Sequence, residues 1–256
     1  MFVRVVSWAL MLCLLAAAPA AAHFGMVIPQ ANILDKPGTV QVELRFWHPR
    51  EDKGMDLAKP QEAGVALAGR KQDLLPALKQ DKLGGRTVWR TAYPIKRPGD
   101  YIFYMTPQPY WEPGEKSFII HYTKTVVSAL GAESGWDQAL GLPIEIIPLT
   151  RPYGLYAGNS FSGRVLYKGR PLANAAVEVE FFDPGARRKP IADSYVTQVV
   201  KTDAKGAFTW TLPWPGWWGF AALHTAEDLK IKKDGRDREV ELGGVLWLYA
   251  APVPGR

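Results

Sequence analysis

The chain has 256 residues, of which 47% are hydrophobic and 22% charged, with a net charge of +6. That is a globular composition, long enough for one large or two ordinary domains and for a core that needs no disulfides. The basic residues are dispersed apart from Arg187-Arg188-Lys189 and a mixed-charge stretch at 230–238, so neither a basic stripe nor a module motif points to nucleic acid.

Residues 1–22 read as a secretory signal peptide. Arg4 is their only charge, 5–18 is apolar apart from Ser7, and Ala20-Ala21-Ala22 ends the segment with small residues. The apolar run is short for a span of about 20 residues and no basic stop-transfer cluster follows, so no membrane span is expected after processing. Cys13, the single cysteine, lies inside this segment behind Met11-Leu12, which is not a lipidation context. The processed chain then has no thiol, which excludes thiolate zinc and iron–sulfur centres. A cut after Ala22 makes His23 the first residue; a cut after Ala20 places it third from the amine.

The first half, 23–148, predicts an immunoglobulin-like β-sandwich. Residues 39–47 alternate apolar and polar and form a half-buried strand that ends at His48-Pro49. The stretch 50–62 is charged, contains Gly54 and Pro60, and reads as an exposed loop. Short segments at 65–67, 73–78 and 87–93 follow, then an aromatic strand at 101–105. Pro107, Pro109 and Pro113 punctuate the chain around Tyr110-Trp111, and 117–127 is a second strong strand. Residues 131–142 fit either a loop or a short helix.

Two prolines at Pro148 and Pro152 set the boundary to the second half, 149–256. Strand signals occur at 161–167, 175–181, 196–201, 207–212, after the Trp214–Trp218 turn, and at 243–249; the run at 230–238 reads as a solvated turn. The pattern G-x-V…G-x-P-L-x-x-A-x-V-x-V…T-D-x-x-G-x-F resembles the transthyretin-like, carboxypeptidase-regulatory type of sandwich, a scaffold rather than a reactive module. The fold class is therefore all-β, with two sandwiches.

Four histidines are the candidates for chemistry: His23, His48, His121 and His224. His48 ends one strong strand and His121 lies in the other. His23 carries a free α-amine once the leader is removed. Three imidazoles and an amine are a nitrogen-rich donor set suited to Ni(II), Cu(II) or Zn(II) rather than calcium or magnesium, with Co(II) chemically close to Ni(II). The amine titrates at about 7.7–8.0, so a metal can displace its proton near neutral pH. Met55 and Asp56 are available as an extra ligand or a carboxylate behind one, though a solvated loop position explains Asp56 as well. The tryptophan-rich stretches at Tyr110-Trp111 and Trp214–Trp218 fit either domain-end packing or a sugar-stacking platform. No catalytic motif or acid–base pair stands out, so no enzyme activity is expected.

The runs A-H-F-G-M-V-I-P, W-H-P with M-D-L-A-K-P beyond it, P-Q-P-Y-W-E-P-G-E, F-I-I-H-Y-T-K-T-V-V, P-L-T-R-P-Y-G-L-Y-A-G-N and G-W-W-G-F-A-A-L together resemble the DUF4198 family. Within it the chain is most similar to the NikK-type periplasmic component of nickel energy-coupling-factor (ECF) transporters. The resemblance implies a periplasmic Ni(II)-binding protein that serves a membrane permease, with metal ligands His23, His48 and His121. His224 stands where the resemblance implies a non-histidine residue. Two other readings compete: a copper-binding histidine-brace protein, either an oxidative enzyme or a copper carrier, and a metal-free adhesion or carbohydrate-binding module.

Overall fold

A computed structural model describes residues 23–255; the expected signal peptide lies outside the described residues. Among the described residues there is no α-helix, only two 3-10 turns at Leu75–Ala77 and Asp193–Tyr195, and none is long and apolar enough to cross a membrane. The fold is all-β and sandwich-like, built from an 11-stranded sheet, a 5-stranded sheet and a 4-stranded sheet.

The large sheet is the common layer. Its middle strand, Ser117–Ala129, pairs antiparallel with Gly99–Thr106 and parallel with Arg236–Ala251, so one sheet is shared by the two halves of the sequence. Between Leu242 and Leu248 the strand Arg236–Ala251 is buried on both faces. Leu242, Leu246 and Leu248 join Ile146, Phe161 and Val165 of the four-stranded sheet, while Val245 and Trp247 join Phe24, Met26 and Trp47 of the five-stranded sheet. Alternate residues of one strand thus feed two separate cores. Trp247 is fully buried and donates its indole N–H to the Gly25 carbonyl at 2.8 Å, satisfying its polar end while its ring area stabilises the contact by several kcal/mol, on the order of 25 cal/mol per Å².

Several sequence expectations are revised. The 230–238 run is not a turn as a whole: Gly216–Lys233 and Arg236–Ala251 form one long hairpin turning only at Asp234 and Gly235, both at positive φ (52° and 73°). That is the geometry a two-residue hairpin turn requires, and the charges belong to strand arms standing in solvent. Of the two alternatives left open for residues 131–142, the loop is the one found, with Leu140 and Leu142 covering Ile102 and Val126. The 73–78 segment is a strand ending at Asp73 followed by a 3-10 turn around Pro76. The 50–62 loop contains the short strand Lys53–Met55, and its Arg50 is buried.

Candidate metal centre

Strand register builds the site. Phe24–Pro29 pairs antiparallel with Gly38–His48, matching Phe24 with Trp47 and Gly25 with Phe46. One step further along the same register sets His23 opposite His48. The two rings meet, with centroids 4.4 Å apart, a cross-strand pair at the open end of the five-stranded sheet. Phe46 stacks on His23 at 5.6 Å and Tyr110 lies 5.7 Å from it, walling the pair with apolar rings.

Glu112 is the residue that sequence reasoning missed. It ends the short strand Tyr110–Glu112, which folds back on Ser117–Ala129, and its Oε2 lies 3.0 Å from His23 Nε2. Its only sequence signal was its place in the P-Y-W-E-P-G-E run.

His121 lies beneath the pair on the central strand, 2% exposed, with its ring edge-on to Phe46 at 5.9 Å. Its Nδ1 accepts the backbone N–H of Gly25 at 3.3 Å. The lone pair of this ring therefore faces the first strand, two residues from His23, and the hydrogen sits on Nε2, which has no hydrogen-bond partner. The ring occupies space left by Gly243, its partner across the parallel pair, where a Cβ would come within 2.3 Å of Cδ2.

The electrostatics favour neutral imidazoles. Burial, and then the neighbouring His48, push His23 down to about 4 against the opposing pull of Glu112. Burial, and then His23, push His121 down to about 3. Neutral rings at pH 7 carry the lone pairs that a metal needs.

His224 is not brought to this place. It pairs with Leu242, whereas His121 pairs with Gly243. Adjacent positions on one strand point to opposite faces, so His224 lies on the far side of the sheet, against Tyr167 at 4.3 Å. The Asp56 carboxylate is engaged elsewhere: it accepts the Thr87 N–H at 2.8 Å and pairs with Lys82 and Arg86. Trp218 is buried against Trp214 and Phe181, in packing rather than on an exposed platform.

Among the described residues, no three His, Cys, Asp or Glu side chains stand together as a ready metal cage. The donors present fit a transition metal in kind: two imidazoles in contact and a third whose lone pair faces the first strand. An ion would have to draw these groups inward.

The fold and the site define an all-β protein with a histidine pair at the head of its first strand, backed by a carboxylate and a buried third histidine. The chain belongs to the family described as Domain of unknown function (DUF4198), whose profile matches residues 20–226. A comparison with curated proteins finds no match. Among solved structures, the Yersinia pseudotuberculosis adhesin InvE is 12% identical, with a TM-score of 0.23, covering 86% of this chain and 58% of that one. A two-domain fibronectin type III segment of chicken tenascin is 13% identical with a TM-score of 0.21, covering 87% and 97%.

Proposed function

We propose that the processed chain is a periplasmic Ni(II)-binding protein that captures the ion at its new N-terminus and passes it to the membrane permease of a nickel ECF transporter. The observation that carries this reading is the 4.4 Å contact between His23 and His48. Cleavage after Ala22 adds an α-amine to that pair on the same residue as one of its rings. Chelation by two groups of one residue lowers the entropic cost of the second bond. The amine, His23 and His48 are the contacting donors in this reading. His121 is the third histidine, reached when its Nδ1 exchanges the Gly25 N–H for the ion. The nickel and permease roles rest on the resemblance to ECF components; the donor set by itself also accepts Co(II) and Cu(II). The protein binds and releases its cargo and performs no reaction on it.

The test is calorimetric titration of Ni(II) into correctly processed protein and into a form with two extra residues before His23. The expected result is one ion per chain, with binding weakened by at least tenfold in the extended form and in His48→Ala. Equal affinity in the processed and extended forms overturns the N-terminal site. Cu(II) binding accompanied by copper-dependent oxidation of a polysaccharide would replace the transport reading with the histidine-brace enzyme.

A further inference from the structure

The contact between His23 and Glu112 has a chemical direction. A neutral imidazole carries its hydrogen on one nitrogen only, and a carboxylate can only accept. With Oε2 at 3.0 Å from Nε2, the hydrogen belongs on Nε2, because two lone pairs facing each other at that distance would repel. The other carboxylate oxygen is not free to turn: Oε1 accepts the backbone N–H of Gly114 at 2.9 Å. A Cβ at residue 114 would lie 3.2 Å from that oxygen, so glycine allows the turn to close on it. The carboxylate is thus pinned on one side by its own hairpin and aimed with the other at His23. Both side chains are 15% exposed, so water competes weakly for the bond.

We propose that Glu112 is a positioning residue for the metal site, holding the His23 ring in the tautomer that leaves the lone pair on Nδ1. This deepens the nickel reading and rests on it. The choice of nitrogen matters because of where the amine is. Nδ1 and the α-amine of one histidine can close a chelate ring through Cα and Cβ. Nε2, on the far side of the imidazole, cannot reach an ion held by its own amine. The wrong tautomer would offer its only lone pair to the carboxylate and none to the ion. A carboxylate that accepts the remote N–H of a ligating histidine also raises the basicity of the ligating nitrogen.

The isosteric change Glu112→Gln makes a sharp test. The Gly114 N–H needs an acceptor, so the amide oxygen stays on it and the amide NH2 turns to His23 Nε2. That geometry selects the opposite tautomer. The measurement is the pair of ring ¹⁵N chemical shifts of His23 in metal-free processed protein, followed by Ni(II) titration of the same samples. Wild type is expected to show a protonated Nε2 and a bare Nδ1. Glu112→Gln is expected to reverse the two and to weaken Ni(II) binding by about 10–100-fold, with the melting temperature reporting that the fold is intact. Unreversed ¹⁵N shifts, or reversed shifts with wild-type affinity, overturn the inference. They leave the nickel reading standing if His23→Ala still abolishes binding. Failure of the processed wild type to bind Ni(II) overturns the reading and the inference together.

Discussion

The backbone N–H of Gly25 donates to Nδ1 of His121 across 3.3 Å, tying the strand that carries His23 to the middle of the large sheet. The close approach depends on glycine: a Cβ at residue 25 would lie 2.4 Å from Thr123 Oγ1 and 3.1 Å from His121 Cβ. Gly25→Ala is therefore expected to push the first strand outward, at a cost of about 1–3 kcal/mol, the usual range for overpacking. Thermal unfolding checks the cost. Nickel titration checks the consequence, a loss of affinity larger than any caused by His224→Ala on the opposite face. A melting temperature equal to wild type would show that the strand is not held this way.

Gly243 and His121 form a second such pair, with the glycine leaving the space that the ring fills. Gly243→Ala should destabilise by a similar amount, about 1–3 kcal/mol. The same change made in a His121→Ala background should cost far less, since the missing ring leaves room for the methyl. A double-mutant cycle on unfolding free energies measures the coupling, expected in the range of about 0.5–3 kcal/mol. Additive costs would mean that Gly243 is required for some reason other than the ring.

Much of this arrangement is legible in the sequence, and the rest is hidden for identifiable reasons. The alternation that ends at His48 and the strong strand containing His121 mark both residues at once. The His23–His48 contact depends on Phe24–Pro29 pairing with Gly38–His48, a register that no local pattern fixes because an irregular connection separates the two strands. Glu112 stayed hidden because its strand is three residues long and set among prolines. The long hairpin read as fragments because Gly219 to Leu223 is covered on both faces and shows no alternation, and a register shift between Thr225 and Lys230 interrupts the rest. The parallel pairing of Ser117–Ala129 with Arg236–Ala251 joins segments far apart in the chain; with it goes the parity argument that separates His224 from His121.

Acidic side chains on the His121 face give the protein a pH dependence of its own. Glu180 is 1% exposed, and burial pushes its carboxyl up to about 8, with hydrogen bonds from Thr197 and Arg50 opposing the rise. An acid whose folded value lies above its unfolded one keeps its proton in the native state and releases it on unfolding. Its destabilising contribution is therefore absent below the unfolded value near 4.5 and grows as pH rises to about 8. Glu180→Gln, which cannot ionise, should match wild type in stability near pH 4.5 and exceed it at pH 8, by up to about 4 kcal/mol. Denaturant unfolding at the two pH values decides the matter. A difference between the two proteins that does not change with pH would refute it.

The loop after His48 is clamped to the second half of the chain. Arg50 Nη1 lies 3.0 Å from Asp183 Oδ2, with both side chains 5% exposed. Asp183 N donates to the Pro49 carbonyl at 3.1 Å, and Gly185 N donates to Asp52 Oδ2 at 2.7 Å. Removing the carboxylate charge alone leaves a buried guanidinium uncompensated, which costs about 3–5 kcal/mol, whereas removing both charges costs much less. Asp183→Asn should thus lower the melting temperature more than the double change Arg50→Met with Asp183→Asn. Because Arg50 sits two residues beyond His48, the single change should also weaken Ni(II) binding more than the double one does. The two orderings are separable. If stability follows the expected order while affinity is equal in all three proteins, the clamp serves the fold alone and His48 is held by its pairing with the first strand.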